Sequence, residues 1–307
     1  MNKYEEKYNR YKQIVDDKLD DFIVTNNPKW IYEPLKFILS GGGKRIRPAL
    51  MMFSCEAADG NFEQAIDASL AIETLHNFTL IHDDIMDNAD TRRGRETIHK
   101  KWDNDVAILS GDALIGLAYQ SLLKTKSERI GEIAEVFTEG IIEVCEGQSY
   151  DKEFEIKKTV KLDEYLMMIN KKTSQLLVCC AKIGVLIGNG NRDLFNALSN
   201  YALNLGLAFQ IQDDLLDVIA DEKNFGKKIG GDIREGKKTF LLLKALENVK
   251  DENSRNKLES IIKNKGIKEE KEIFEIKNIY EKYGILDSAS EEIEKYTKKA
   301  DELLNVV

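Results

Sequence analysis

The stretch Leu80-Ile81-His82-Asp83-Asp84-Ile85-Met86-Asp87 decides the reading of this chain. Its first and last aspartates are four positions apart, which on a helix puts them on one face, one turn from each other. Like charges in that arrangement cost a few tenths of a kcal/mol, and aspartate is a mediocre helix former. Helix stability therefore does not explain the pattern. The stretch is also embedded in apolar sequence, since Phe78-Thr79-Leu80-Ile81 precedes the charges. The same pattern returns at Gln210-Ile211-Gln212-Asp213-Asp214-Leu215-Leu216-Asp217, after Leu207-Ala208-Phe209.

Outward from these two clusters, the chain reads as helical throughout. It has three prolines, Pro28, Pro34 and Pro48, and none from 49 to 307. Because proline breaks helix interiors and decorates turns, its absence predicts long helices. Tyr4, Tyr8, Tyr11, Val15, Leu19 and Phe22 step by three and four residues, as do Ile293, Tyr296, Ala300 and Leu304. No segment alternates with period two, and no Asn-Gly hairpin signal occurs. Breaks are expected at Gly41–Gly43, Asp59–Asn61, Asp90–Gly94, Gly188–Asn191 and Asn224–Gly236. No Gly/Ser-rich linker or repeat of 20–50 residues is found. The expectation is an all-α fold, one large helical domain over residues 1–307, with roughly ten or more helices.

Composition removes several function classes. The net charge of −9 is wrong for a non-specific nucleic-acid binder, whose affinity rests on neutralising phosphates. No lysine-rich tail marks a membrane-surface anchor. The N-terminus MNKYEEKYNRYK lacks an apolar signal core, and the run Leu176–Ile187, interrupted by Lys182, is too short to span a bilayer. Cys55, Cys145, Cys179 and Cys180 contain no C-x-x-C pair, which suits a reducing compartment. A cytoplasmic location is expected.

Hard divalent cations account for the carboxylate pairs. Mg²⁺ takes oxygen ligands in octahedral geometry and is commonly held by one or two carboxylates together with substrate phosphates. A solvated acidic helix surface explains one cluster equally well, but explains two, each inside apolar sequence, poorly. Zinc fits less well, because His82 beside Asp83 belongs to no Cys/His tetrad. Anion-binding groups accompany the carboxylates. Gly41-Gly42-Gly43-Lys44-Arg45-Ile46-Arg47-Pro48 ends one helix and opens the next, a junction that presents N–H groups and cations. It does not satisfy the Walker pattern, and its glycines alone would read as a helix C-cap. Arg92 and Arg93, Lys171-Lys172-Thr173, Lys227 and Lys237 add further cations.

In this order the motifs resemble those of the trans-polyprenyl diphosphate synthases, the family of farnesyl and geranylgeranyl diphosphate synthases. The matching segments are GGGKRIRP (41–48), His76, DDIMD with RRG (83–94), GD (111–112), EGQ (146–148), KKT (171–173), QIQDDLLD (210–217), FGKKIGGD (225–232) and KKT (237–239). The resemblance implies an all-α fold with a deep central cavity, a homodimer, and Mg²⁺ as cofactor, three ions once substrate is bound. It implies that Asp83, Asp87, Asp213 and Asp217 hold the metal, with Asp84 and Asp214 counted among the catalytic groups. Lys44, Arg47, His76 and Arg93 would hold isopentenyl diphosphate, with Arg45 counted among the substrate-binding residues. Arg92, Lys172, Lys227 and Lys237 would hold the allylic diphosphate, and Thr173 and Gln210 would line the reacting centre.

The implied reaction ionises the allylic C–O bond. Preorganised cations and metal stabilise the leaving diphosphate, and the double bond of isopentenyl diphosphate attacks the carbocation. The two carboxylate turns are expected to face each other closely enough to share one ligand. Family members with bulky aromatics four and five residues before the first cluster make short, farnesyl-type products. Here Phe78 is aromatic and Thr79 is not, which favours geranylgeranyl diphosphate over farnesyl or longer products. A class I terpene cyclase is a poorer match, because its second metal motif is of Asn/Ser/Glu type and it has no use for GGGKRIRP. A non-catalytic subunit of a heteromeric synthase would have lost a cluster, and both are intact.

Overall fold

The computed structural model describes residues 2–219 and 230–305. Fifteen α-helices occur among them: α1 (Lys3–Asp20), α2 (Lys29–Leu39), α3 (Ile46–Ala57), α4 (Ile66–Met86), α5 (Ile98–Lys101), α6 (Asn104–Leu122), α7 (Ile130–Ile156), α8 (Leu162–Ile169), α9 (Gln175–Ile187), α10 (Arg192–Ile219), α11 (Gly231–Glu235), α12 (Phe240–Asn248), α13 (Glu252–Lys263), α14 (Glu270–Lys282) and α15 (Ile285–Leu304). The all-α expectation holds. The proline-free stretch carries the two longest helices, α7 with 27 residues and α10 with 28. The described residues form two compact units, Met1–Ile141 with Leu177–Ser199 and Ile142–Leu176 with Asn200–Val307.

In the first unit α4 is the central helix and packs chiefly on α6 and α3. Twelve of its 21 residues are buried, from Ala68 through Phe78 and Ile81 to Asp84. A helix buried on nearly all sides has no solvated face to fray into water, so the aspartates at its C-terminal end stand on a rigid support. Asp103 caps α6 by accepting from the Val106 N–H at 2.8 Å. In α1, Tyr11, Val15 and Leu19 are buried as their spacing predicts, whereas Tyr4 is exposed.

Among the described residues one small sheet interrupts the helices. β1 (Thr91–Arg92) pairs with β2 (Arg95–Glu96), matching Thr91 with Glu96 and Arg92 with Arg95. The turn residues Arg93 and Gly94 both have positive φ, +53° and +75°, as a two-residue hairpin turn requires.

The second unit has its own core of Phe154, Tyr165, Ile211, Leu215, Phe240, Leu243, Ile276 and Tyr280, among others. Its charge-rich C-terminal helices bury single stripes, such as Ile273, Ile276, Ile279 and Tyr280 of α14. Between α8 and α9 the chain widens into one π-helical turn, Asn170–Ser174. Such turns are rare and cluster at functional sites.

Candidate active site

The first group of candidate side chains lies wholly in the first unit. After α2 the chain turns through Gly42 and Gly43, with φ of +66° and +151°, and Arg45, with φ of +53°. It then enters α3, whose first turn contains Pro48. The positive φ favours glycine at position 43, and a Cβ there would also crowd, at 3.1 Å, the Arg93 guanidinium, which donates to the Gly42 carbonyl. The Tyr8 hydroxyl donates to the Lys44 carbonyl, and the Lys44 side chain is exposed.

Arg47 points to His76 of α4, with Nη1 3.4 Å from Nε2. Its Nε is shut off from solvent without a partner, and it forms no ion pair among the described residues. Burial, then the guanidiniums of Arg47, Arg93, Arg92 and Arg45, push His76 well below the ordinary imidazole range. The imidazole is therefore neutral, in surroundings of concentrated positive charge. Guanidinium charge withdrawn from water is favourable only against a negative partner, which makes this cluster a candidate anion site.

Arg45, expected among the substrate-binding groups, is placed differently. Its Nε donates to Asp16 at 2.8 Å, its Nη1 to Glu73 at 2.5 Å and its Nη2 to the Leu39 carbonyl at 3.4 Å. Both Arg45 and Glu73 are buried. All three guanidinium nitrogens are committed to protein acceptors, so Arg45 anchors the glycine turn to α1 and α4.

At the end of α4, Arg92 of the hairpin clamps the first aspartates. Its Nε donates to Asp84 at 2.7 Å and its Nη2 to Asp83 at 3.1 Å. Asp84 is 2% exposed; burial raises its pKa and Arg92 pulls it back. Asp83 and Asp87 are half-buried. One turn up, the buried Phe78 meets His82 edge to face at 4.7 Å, and the Thr79 hydroxyl donates to the His76 carbonyl. Gly111 of α6 admits His82, since a Cβ there would lie 2.3 Å from its Nε2.

The second group lies wholly in the second unit. Gly147 of α7 lets the π-turn approach, because its Cβ would lie 2.2 Å from the Lys172 nitrogen. Gly206 of α10 does the same for Ser174, at 2.6 Å. Held between these glycines, Thr173 bonds Gln210 at 3.0 Å, and the Lys172 ammonium donates to Asp151 at 2.6 Å. Asp214 is buried and accepts from the Tyr165 hydroxyl at 2.5 Å, the Phe240 N–H at 2.9 Å and Gln210 Nε2 at 3.3 Å. Asp213 is exposed. Asp217 is half-buried and accepts from the Asp232 N–H at 3.0 Å. Gly231 leaves room for Asp217, whose Oδ1 would be 2.9 Å from a Cβ at that position. Lys237 is exposed and pairs with Glu235 at 2.8 Å. Lys227 lies outside the described residues.

The donor chemistry suits Mg²⁺: every candidate ligand is a carboxylate oxygen. Among the described residues no three His, Cys, Asp or Glu side chains converge closely enough to hold an ion by themselves. Mg²⁺ also takes phosphate oxygens and water, so a carboxylate pair need not hold it alone.

A family model for polyprenyl synthetases matches residues 28–282. The chain belongs to the polyprenyl synthetase family. It is 40% identical to the geranylgeranyl diphosphate synthase of Sulfolobus acidocaldarius over 311 aligned positions, covering 100% of this chain and 93% of the relative. Among solved structures it is similar to the geranylgeranyl pyrophosphate synthetase of Pyrococcus horikoshii, with a TM-score of 0.92, 40% identity, and coverage of 99% and 94%. It is also similar to the geranylgeranyl pyrophosphate synthase of Corynebacterium glutamicum in complex with isoprenyl diphosphate and magnesium, with a TM-score of 0.87, 26% identity, and coverage of 98% and 94%. This polyprenyl synthetase is a prenyltransferase.

Two buried side chains of this polyprenyl synthetase that brace the candidate site carry no signal in the sequence. Lys238, the second lysine of the final KKT, is buried, and its ammonium donates to the Phe154 carbonyl at 2.5 Å and the Glu155 carbonyl at 3.3 Å. A cation at a helix C-terminus is favourable, and it ties the end of α7 to the segment carrying Lys237. Tyr165, on Asp214, is the second. No local pattern signals either residue, since each acts on a partner about 50 to 80 positions away in sequence.

Proposed function

We propose that this prenyltransferase condenses isopentenyl diphosphate head to tail with allylic diphosphates and releases geranylgeranyl diphosphate. The observation that supports this most is the Arg47–His76–Arg93 cluster, a half-buried guanidinium without a carboxylate partner beside a neutral imidazole. Two arginine forks and the exposed Lys44 match the oxygens of a diphosphate. That diphosphate is assigned to isopentenyl diphosphate. Arg92, Lys172, Lys227 and Lys237 are assigned to the allylic diphosphate. Arg92 and Lys172 exchange their present carboxylate partners for phosphate as that substrate binds.

Asp83, Asp87, Asp213 and Asp217 are the residues that would hold Mg²⁺, three ions with substrate present. When bound, the metal supplies neutralisation of charge on the leaving diphosphate. The chain's own groups do the rest. The cations orient both diphosphates, Thr173 and Gln210 offer oxygen dipoles to the electron-poor allylic carbon, and the site must exclude the water that would quench it. The departing diphosphate takes the proton lost from the isopentenyl unit. Phe78, buried below the first aspartates, sets the floor for the growing tail, and the smaller Thr79 leaves one side lower, which favours a twenty-carbon product. The relatives named as geranylgeranyl diphosphate synthases support that length. The active form is assigned as a homodimer, which light scattering on the purified chain checks.

The test is incubation of the purified chain with Mg²⁺, isopentenyl diphosphate and a five-, ten- or fifteen-carbon primer, with the product alcohols sized by chromatography. A twenty-carbon end product is expected from each. An end product of fifteen carbons overturns the assigned length, and absence of condensation overturns the reading. Hydrocarbon formed from geranylgeranyl diphosphate alone would mark a cyclase.

A further inference from the structure

We propose that Tyr165 and Asp214 are positioning residues that fix the polarity of the Thr173–Gln210 pair, so that the Thr173 oxygen presents its lone pairs to the allylic carbon. The proposal rests on the function assigned above and deepens it.

A carboxylate only accepts, whereas a glutamine amide has one accepting and one donating end. Asp214 Oδ2 is taken up by the Tyr165 hydroxyl of α8 and the Phe240 N–H that opens α12. Its Oδ1 faces Gln210 at 3.3 Å. The Gln210 end turned to Asp214 is therefore the NH₂ end. Its other end, Oε1, meets Thr173 Oγ1 at 3.0 Å and can only accept.

The single Thr173 proton is thereby spent on Gln210, and the hydroxyl lone pairs point elsewhere. With the amide reversed, Gln210 would donate to Thr173 and occupy a lone pair, releasing the hydroxyl proton toward the developing cation. That orientation is electrostatically repulsive. The π-turn clasped by Gly147 and Gly206 fixes where the hydroxyl stands, and the Tyr165–Asp214 pair fixes which way it is polarised. Asp214 thus belongs to the second aspartate cluster by sequence and to the protein interior by structure.

The test uses Asp214→Asn, Tyr165→Phe and the double variant Asp214→Asn/Gln210→Glu in full-length protein. In Asp214→Asn the new amide keeps an oxygen for Tyr165 and Phe240 and turns its NH₂ toward Gln210, which reverses the glutamine. Loss of one well-placed dipole is expected to lower kcat by about 10²-fold, with KM for isopentenyl diphosphate and the Mg²⁺ activation constant within about twofold of wild type. Tyr165→Phe keeps the carboxylate but removes one of the two donors that hold Oδ2, so Oδ1 is no longer fixed against Gln210, and kcat is expected to fall about tenfold with the same unchanged constants. In the double variant the carboxylate introduced at position 210 accepts both from the amide introduced at position 214 and from Thr173. The polarity then returns, and kcat recovers at least about tenfold over Asp214→Asn.

A raised Mg²⁺ requirement with normal kcat at saturating metal overturns the proposal, because Asp214 would then be a ligand. Unchanged kcat in both single variants, or no recovery in the double variant, overturns it as well. Circular dichroism confirms folding, and Tyr165→Phe remains informative if Asp214→Asn is unstable. A wild-type chain that condenses nothing defeats the assigned function instead, so the two failures are distinguishable.

Discussion

Replacing Arg45 by Met separates its two readings, a diphosphate ligand or an internal anchor. In the structure its side chain is 2% exposed and that of Glu73 4%, with Nη1 2.5 Å from Oε1. Asp16, 31% exposed, remains solvated when its partner leaves. The loss therefore falls on Glu73, which becomes a buried charge without a counter-ion. Breaking a buried pair from one side costs about 3–5 kcal/mol. For a unit of about 160 residues, each kcal/mol moves the melting midpoint by about 2–4 °C, so a fall of about 6–20 °C is expected. The double variant Arg45→Met/Glu73→Leu removes both charges and should recover most of that fall, since apolar replacement of a whole buried pair is often neutral. Thermal melts followed by circular dichroism measure the shift, and KM for isopentenyl diphosphate is measured alongside. An unchanged melting temperature with KM raised tenfold or more would refute the reasoning and return Arg45 to the substrate. So would a double variant no more stable than the single.

Three further outcomes are expected. Phe78→Ala should lengthen the product by at least one five-carbon unit, since Phe78 lies five residues, about 7.5 Å along the helix, before Asp83; it should also cost about 3–5 kcal/mol, and an unchanged chromatographic profile would count against the floor assignment. Gly147→Ala should lower kcat by about 10²-fold, as ångström-scale misplacement does, because the new Cβ meets the Lys172 nitrogen at 2.2 Å; near-normal turnover would show that the π-turn need not sit where it does. In a thiol titration of the native protein only the exposed Cys145 should react, and faster as pH rises, since partial burial raises its pKa. Burial pushes Cys55 up to about 11 and Cys179 up to about 12, so four thiols should appear only on unfolding, and more than one in the native state would contradict the packing.

Much of this was legible in the residues. Long helices followed from the missing prolines, and the junction at Gly41–Pro48 followed from its glycines and proline. Both are local rules, and the structure keeps them. The β1–β2 hairpin was not legible, because its turn is Arg93-Gly94 where the recognised signal is Asn-Gly. The π-turn at 170–174 was hidden for a different reason. Nothing in Asn-Lys-Lys-Thr-Ser favours it, and its cause lies in Gly147 and Gly206, whose missing side chains leave the room it occupies. Arg45 faces Asp16 and Glu73, and cations gathered around a glycine turn do not reveal in sequence which guanidinium turns inward.

The aspartate clusters show the same limit most clearly, and also its physical origin. Successive helical residues are rotated by about 100°, so three carboxylates at i, i+1 and i+4 cannot all serve one face. In each cluster the structure turns the middle residue inward. Asp84 receives Arg92, and Asp214 receives Tyr165, Phe240 and Gln210. The flanking pairs Asp83 with Asp87 and Asp213 with Asp217 are left less buried. Outward carboxylates on an unsupported helix end would fray or swivel. An inward carboxylate bonded to a guanidinium, or to a helix N-terminus and a phenol, pins that end in register. On the function proposed above, the repeated Asp-Asp-x-x-Asp combines two roles in one motif, a pair that grips the ligand and a third residue that holds the pair in place. Sequence counts all three alike, and only the burial of Asp84 and Asp214 separates them.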